Sequence, residues 1–247
     1  MGWHLATMVL PFKLSIAQDS CEAEKDFAKE ILDQVARKKN SLIGLATGQT
    51  MIGVYEILIK KEHKSPGLFK EVVFAQLDEI IPNSDRENLF SLQLKEGFLN
   101  RLKGGYASFL SIDVSKPDLT LEASRYLSLI ASLGGIDLQI LGIGVNGHVG
   151  YNEPGSKKDS RCRVVKLAPT TIERAGYTSG MQGITLGISD ILKSKRIALL
   201  ATGIDKAAAI SGAIKSTPSI DNPASLLVTH NMIKIILDSS AGSFLTN

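Results

Sequence analysis

His148 and Glu153 stand five residues apart in the segment 141–156, LGIGVNGHVGYNEPGS, with Asn146 and Asn152 beside them. An imidazole changes charge near neutral pH, and a carboxylate within reach can orient it, so the pair suits general acid and base chemistry. A solitary loop histidine more often bonds to neighbouring backbone. Here the carboxylate and the Pro154-Gly155 turn that fixes it favour chemistry. The run Ile136 to Ile143 reads as a strand buried on both faces, and Gly142, Gly144 and Gly147 let the chain leave it sharply. Ligands of open α/β sheets bind outside the carboxyl ends of such strands.

Three further segments end an apolar run in groups able to do chemistry. In 45–53, LATGQTMIG, the backbone of Thr47, Gly48, Gln49 and Thr50 lies between a strand and a helix. Its N–H groups and the two threonine hydroxyls suit an anion at the positive end of that helix. The plainer alternative is that Gly48 turns the chain and Thr47 caps the helix. The segment matches neither a P-loop nor a dinucleotide fingerprint. At Gln76-Leu77-Asp78-Glu79 a buried run meets two carboxylates, and partial desolvation there would lift Asp78 towards the range of a general base. In 201–206, ATGIDK, Lys206 sits at a helix start, where its charge opposes the macrodipole and a bound anion would account for it.

Alternating elements must position these groups. Strands are expected at Phe12–Ala17, Ser41–Ala46, Glu71–Leu77, Asp137–Ile143, Arg196–Thr202 and Ile233–Asp238. Between them, helices are expected after an Asp19 or Ser20 cap, through Val54, Ile57 and Leu58, over Leu121–Leu133 and over Lys206–Ile214, with a loop at Ser216–Pro223. The pattern predicts an α/β fold: an open, mainly parallel, Rossmann-like sheet with helices on both faces. At 247 residues it is expected to form a single domain over 1–247.

Composition narrows the partners. Apolar residues make up 44% and charged residues 21%, as in ordinary globular chains, and the net charge of +3 is carried by scattered Lys and Arg. That distribution fits a small anion and not nucleic acid. Cys21 and Cys162 form no disulfide framework or zinc-type spacing, which points to a reducing compartment. Met1 to Phe12 lack the features of a signal peptide, and no run reaches the roughly 20 apolar residues of a membrane span. A cytoplasmic location, no membrane association and possible homo-oligomers are the expectations.

LATGQTMIGVYEIL, QLDEI, LGIGVNGHVGYNEPGS and ATGIDKAAAI, in this order, resemble the glucosamine/galactosamine-6-phosphate isomerase (deaminase) family along nearly the whole chain. The segments ITLGISDIL (184–192) and PASLLVTH (223–230) are most similar to its galactosamine-6-phosphate branch. The resemblance implies conversion of a 2-amino-2-deoxyhexose 6-phosphate to a ketohexose 6-phosphate and ammonia, with a small sugar phosphate as partner and no metal or organic cofactor. It implies that Asp78 is the base working at C2 and C1, that His148 helps to open the ring, and that Glu153 orients His148. It places the phosphate on Thr47, Gly48, Gln49, Thr50 and Lys206.

Two departures accompany the match. Asn146, which the resemblance counts with Asp78, His148 and Glu153 among the catalytic residues, stands where many members have Asp, which removes one negative charge beside His148. An Asn-x-Arg phosphate contact expected after the segment 170–175 is absent, with Gly176-Tyr177 in its place, so the phosphate is expected to rest more heavily on the 47–50 loop and Lys206. A sugar-phosphate lactonase would lack Asn152-Glu153-Pro154-Gly155. A non-catalytic sugar-phosphate sensor would need a DNA-binding module that the chain has no room for before its first strand.

Overall fold

The computed structural model describes residues 12–81, 89–176 and 180–245. The signal-peptide expectation for Met1 to Phe12 therefore falls almost wholly outside the described residues, as does Tyr177 of the second departure.

The sequence alternation becomes a seven-stranded, wholly parallel sheet surrounded by helices. In chain order its elements begin β1 (Lys13–Ala17), α1 (Ser20–Arg37), β2 (Leu42–Leu45), α2 (Gln49–Lys64) and β3 (Val73–Gln76). They continue through β4 (Asp78–Ile81), α3 (Leu89–Gly97), β5 (Ser108–Leu110), α4 (Leu119–Ser132), β6 (Leu138–Leu141), β7 (Arg163–Lys166) and α5 (Pro169–Ala175). The chain closes with β8 (Gln182–Thr185), α6 (Ile188–Leu192), β9 (Ile197–Ala201), α7 (Ala207–Lys215), α8 (Pro223–Leu227) and β10 (Ile233–Asp238). The strand order of the large sheet is β1-β10-β9-β6-β2-β3-β5. The strand expectations hold to within a few residues at each end.

The helix starts follow their sequence signals. Asp19 caps α1 by accepting from the Glu22 N–H at 2.8 Å, and Asp118 caps α4 by accepting from Thr120 and Leu121. That second cap starts α4 two residues before the expected Leu121. α1 buries Ala23, Phe27, Ile31 and Val35, the helically spaced stripe, and packs on α2 and β10.

The central strands β2 and β6 are buried along their whole length, as strands covered on both faces must be. Leu138, Ile140 and Leu141 are at most 1% exposed. Each such side chain contributes about 1.5–3 kcal/mol on burial, so the platform beneath the site is rigid. The chain leaves β2 towards β3 on one side and β6 towards β9 on the other. The crevice between β2 and β6 is thus a topological switch point, the place where open α/β sheets bind ligands.

A second sheet was not foreseen. β4, β8 and β7 form a three-stranded antiparallel sheet with register Asp78↔Thr185 and Arg163↔Thr185. Ile80, Phe90, Tyr151, Leu167 and Met181 form a small apolar cluster of their own. Asp78 therefore does not end the β3 strand: one residue, Leu77, separates β3 from β4, and Asp78 opens β4.

Candidate active site

Four adjacent strands, β9, β6, β2 and β3, deliver their carboxyl ends to one cavity of about 610 Å³. It is lined by Thr47, Gly48, Gln49 and Thr50 after β2, by Asp78 after β3, by Asn146 and His148 after β6, and by Lys206 after β9. The expected site residues are thus brought together, apart from Glu153, which stands behind His148 and does not line the cavity.

The 47–50 loop presents an open helix start. Gly48 is the N-cap of α2 at φ +105°, a conformation that strains any residue with a Cβ, and no side chain caps the helix. The plainer expectation that Thr47 caps α2 is therefore corrected. Among the described residues the Gln49 and Thr50 N–H groups have no hydrogen-bond acceptor. Such donors at the positive end of a helix attract an anion. The Tyr55 hydroxyl holds the loop from beneath by donating to the Ala46 carbonyl at 2.6 Å.

His148 belongs to a relay. Glu153 can only accept hydrogen bonds, so the Asn146 amide nitrogen donates to its Oε2 at 2.9 Å. That leaves the Asn146 carbonyl oxygen facing His148 Nδ1 at 2.7 Å and accepting also from the His148 N–H at 3.1 Å. Nδ1 must then carry a proton, and Nε2 is the nitrogen left for chemistry. Glu153 Oε2 lies 3.4 Å from Nδ1, so its hold on the ring runs mainly through Asn146. Burial alone would raise the Glu153 carboxyl. The bond and charge of His148, with bonds from Thr171 and Asn146, outweigh it and bring Glu153 down to about 2.

Two glycine-loop details make this geometry possible. A Cβ on Gly144 would lie 2.2 Å from the His148 ring, so only glycine lets the imidazole fold back over the loop. Asn152 faces away and donates to the Val149 and Leu186 carbonyls at 3.0 and 2.8 Å, tying the loop to the end of β8.

The two adjacent carboxylates have separate surroundings. Asp78 is 6% exposed and lines the cavity, and its carboxylate has no hydrogen-bond partner among the described residues. Burial, reinforced by the charge of Glu79, pushes it up to about 7. Glu79 is wholly buried and accepts from Gln76 Nε2 and from the Ile80, Phe90 and Ser91 N–H groups at 2.6–2.9 Å. Burial raises Glu79 as well, despite those bonds. Its oxygens are used in holding the start of α3, which makes Asp78 the carboxylate free to act.

Several lining residues lay beyond the sequence reading. Thr171 on α5 donates to Glu153 Oε1 at 2.6 Å, and Phe90 stacks on Tyr151 to form an apolar wall with centroids 5.8 Å apart. Arg174, also on α5, lines the cavity and donates to Asp205 at 2.8 Å. An arginine thus reaches the cavity from within the 170–175 segment, on the same side as Lys206. Pro169 at the first position of α5 was the available signal for a helix there. Among the described residues no group of three or more His, Cys, Asp or Glu side chains is placed to hold a metal ion, and no helix is long and apolar enough to cross a membrane.

A parallel α/β sheet here gathers a buried carboxylate, a histidine relay and an open helix start at its switch point, groups able to move protons and to attract an anion. By sequence the chain belongs to the family of glucosamine-6-phosphate isomerases/6-phosphogluconolactonase, whose pattern matches residues 17–236. It is 37% identical over 236 residues to glucosamine-6-phosphate deaminase of Geobacillus sp. (strain WCH70), covering 93% of this chain and 94% of that protein. The Bacillus pumilus (strain SAFR-032) glucosamine-6-phosphate deaminase is 36% identical, covering 92% and 97%. A solved monomeric glucosamine-6-phosphate deaminase superposes with a TM-score of 0.85 at 33% identity, over 94% of this chain and 99% of that one. 6-Phosphogluconolactonase from Trypanosoma cruzi shares the fold, with a TM-score of 0.77 at 21% identity over 97% and 99%.

Proposed function

We propose that this protein is an amino-sugar-phosphate isomerase and deaminase that converts a 2-amino-2-deoxyhexose 6-phosphate to a ketohexose 6-phosphate and ammonia. The observation that carries the reading is a buried carboxylate, Asp78, pushed up to about 7 and facing the same cavity as the His148 relay. A proton carrier with a pKa near neutrality can both take and return a proton.

In the proposed sequence, His148 Nε2 takes the proton of the sugar's C1 hydroxyl and passes it to the ring oxygen as the bond from C1 to that oxygen breaks. Asn146 and Glu153 stabilise the transient imidazolium. Asp78 then removes the C2 proton, and the C1 oxygen takes a proton from the substrate's own 2-ammonium group, which gives an enolamine. Return of the proton from Asp78 to C1 leaves an iminium at C2. Water replaces its nitrogen, and ammonia departs. The open start of α2 and Lys206 hold the phosphate remote from these steps.

Glucosamine 6-phosphate is the proposed substrate, in line with the names of the relatives at 36–37% identity. Galactosamine 6-phosphate is the second reading, favoured by the 184–192 segment and the altered arginine position. That segment reaches the site indirectly: the Thr185 hydroxyl accepts from the Tyr151 N–H at 3.2 Å from behind the cavity wall. The chemistry at C1 and C2 is common to both epimers, so only contacts to the C4 hydroxyl can separate them. Ammonia release from each sugar, compared as kcat/KM, tests the proposal. Release from neither would overturn it, and hydrolysis of a phosphogluconolactone instead would favour the lactonase alternative.

Lys206→Ala is expected to raise KM about tenfold or more with kcat within about twofold, as for a contact equally strong in ground and transition states. A fall in kcat at unchanged KM in steady-state assays would remove Lys206 from the phosphate end.

A further inference from the structure

Arg174, Asp205 and Lys206 form a cluster at the mouth of the cavity. Asp205 Oδ2 is shared, lying 2.8 Å from Arg174 Nη2 and 3.8 Å from Lys206 Nζ. No other hydrogen bond engages the Arg174 guanidinium among the described residues, so Nε and Nη1 keep free donors. Lys206 is the buried member, with its side chain 16% exposed, whereas Arg174 and Asp205 are 57% and 45% exposed. Burial lowers the Lys206 pKa, and the charge of Asp205 opposes that effect. The cluster holds two cations and one anion, leaving a single net positive charge beside the anion-seeking start of α2.

We infer that Asp205 is a resident counter-anion, holding Arg174 and Lys206 in the empty cavity until the phosphate of an incoming ligand takes its place. The inference rests on the reading of this end of the cavity as the phosphate end. An ion pair this exposed is weak, typically worth no more than about a fivefold change in an equilibrium constant. A phosphate monoester carries nearly two charges at neutral pH and offers three oxygens to the planar donors of arginine. The exchange therefore runs downhill, while Asp205 keeps the two cations from drifting apart when no ligand is present. A ligand with a single negative charge gains less from displacing Asp205, so the same carboxylate raises discrimination in favour of the dianion.

Binding of inorganic phosphate to the full-length protein, measured by calorimetry, tests this independently of turnover. Asp205→Asn is expected to bind phosphate about two- to fivefold more tightly than wild type, because the competing anion is gone. Arg174→Ala is expected to bind about tenfold more weakly. Asp205→Ser, with a smaller neutral side chain at the same exposed position, should reproduce the Asn result. Phosphate binding weakened in both Asp205 variants would show that the carboxylate merely positions the cations and would overturn the inference. Unchanged affinity in both would overturn it too. If the affinities follow the expected order but no hexosamine phosphate releases ammonia, the counter-anion stands and the proposed reaction falls. If ammonia is released but phosphate affinity ignores Asp205, the reverse holds.

Discussion

Asp78→Asn is expected to lower turnover by about two to four powers of ten, the usual cost of losing a general base, with ligand affinity close to that of wild type. The amide preserves size and shape at a position that is 6% exposed but cannot carry a proton between two carbons. The wild-type rate should also depend on pH in a set direction. Asp78 titrates at about 7, and only its ionised form accepts the C2 proton. Turnover should therefore rise about tenfold per pH unit below that value and level above it, whereas the residual rate of the variant should lack this limb. Stopped-point ammonia assays from pH 5 to 9 measure both effects. Wild-type turnover in the variant would eliminate Asp78 as the base. Glu79 is no ready substitute, since its oxygens are engaged by Gln76, Ile80, Phe90 and Ser91.

The same substitution should make the protein more stable at alkaline pH. Asp78 moves from an ordinary value of 3.8 to about 7 on folding, so between these values the folded state binds more protons than the unfolded chain. Stability then falls as pH rises through that window and stays lower above it. A shift of this size corresponds to at most about 4 kcal/mol. Urea unfolding at pH 9 should show Asp78→Asn more stable than wild type by a sizeable part of that figure, and the gain should vanish near pH 4. A variant less stable than wild type at pH 9 would show that the ionised carboxylate is well accommodated. The expected trade of stability for reactivity is that of a buried charge held by a stable scaffold.

The large sheet was legible because parallel strands buried on both faces are written as near-continuous apolar runs: LIGL in β2, LQIL in β6, broken only by Gln139, and IALLA in β9. The loops after them were legible because glycine and chemical side chains interrupt those runs abruptly. The small sheet was not. β7 reads RVVK and is half-exposed, β8 reads QGIT, and β4 begins on two carboxylates, so none has the apolar run or the alternation that marks a strand. Its pairing is a tertiary fact with no local signature. Arg174 was missed for a related reason. The expected arginine position lay beyond the 170–175 segment, whereas the side chain that reaches the cavity lies inside it, on a seven-residue helix. Asn146 was placed among the catalytic residues for its position beside His148 and its missing charge, yet its amide relays Glu153 to His148 through two different atoms, a role that spacing cannot reveal.

The single residue between β3 and β4 places a limit on how this chain can vary in length. Successive strand residues point to opposite sides, and at 78 and 79 one carboxylate faces the cavity while the other grips α3. Removing or adding one residue at Leu77 would exchange those two directions. A Glu, one carbon longer, would then enter the cavity, and an Asp, one carbon too short, would be left to reach the amides of Phe90 and Ser91. Conservative replacements at 77 keep the count and are tolerable, but an insertion or deletion there dismantles the base and the helix start together. The link between β3 and β4 is thus constrained in residue count more tightly than in residue type.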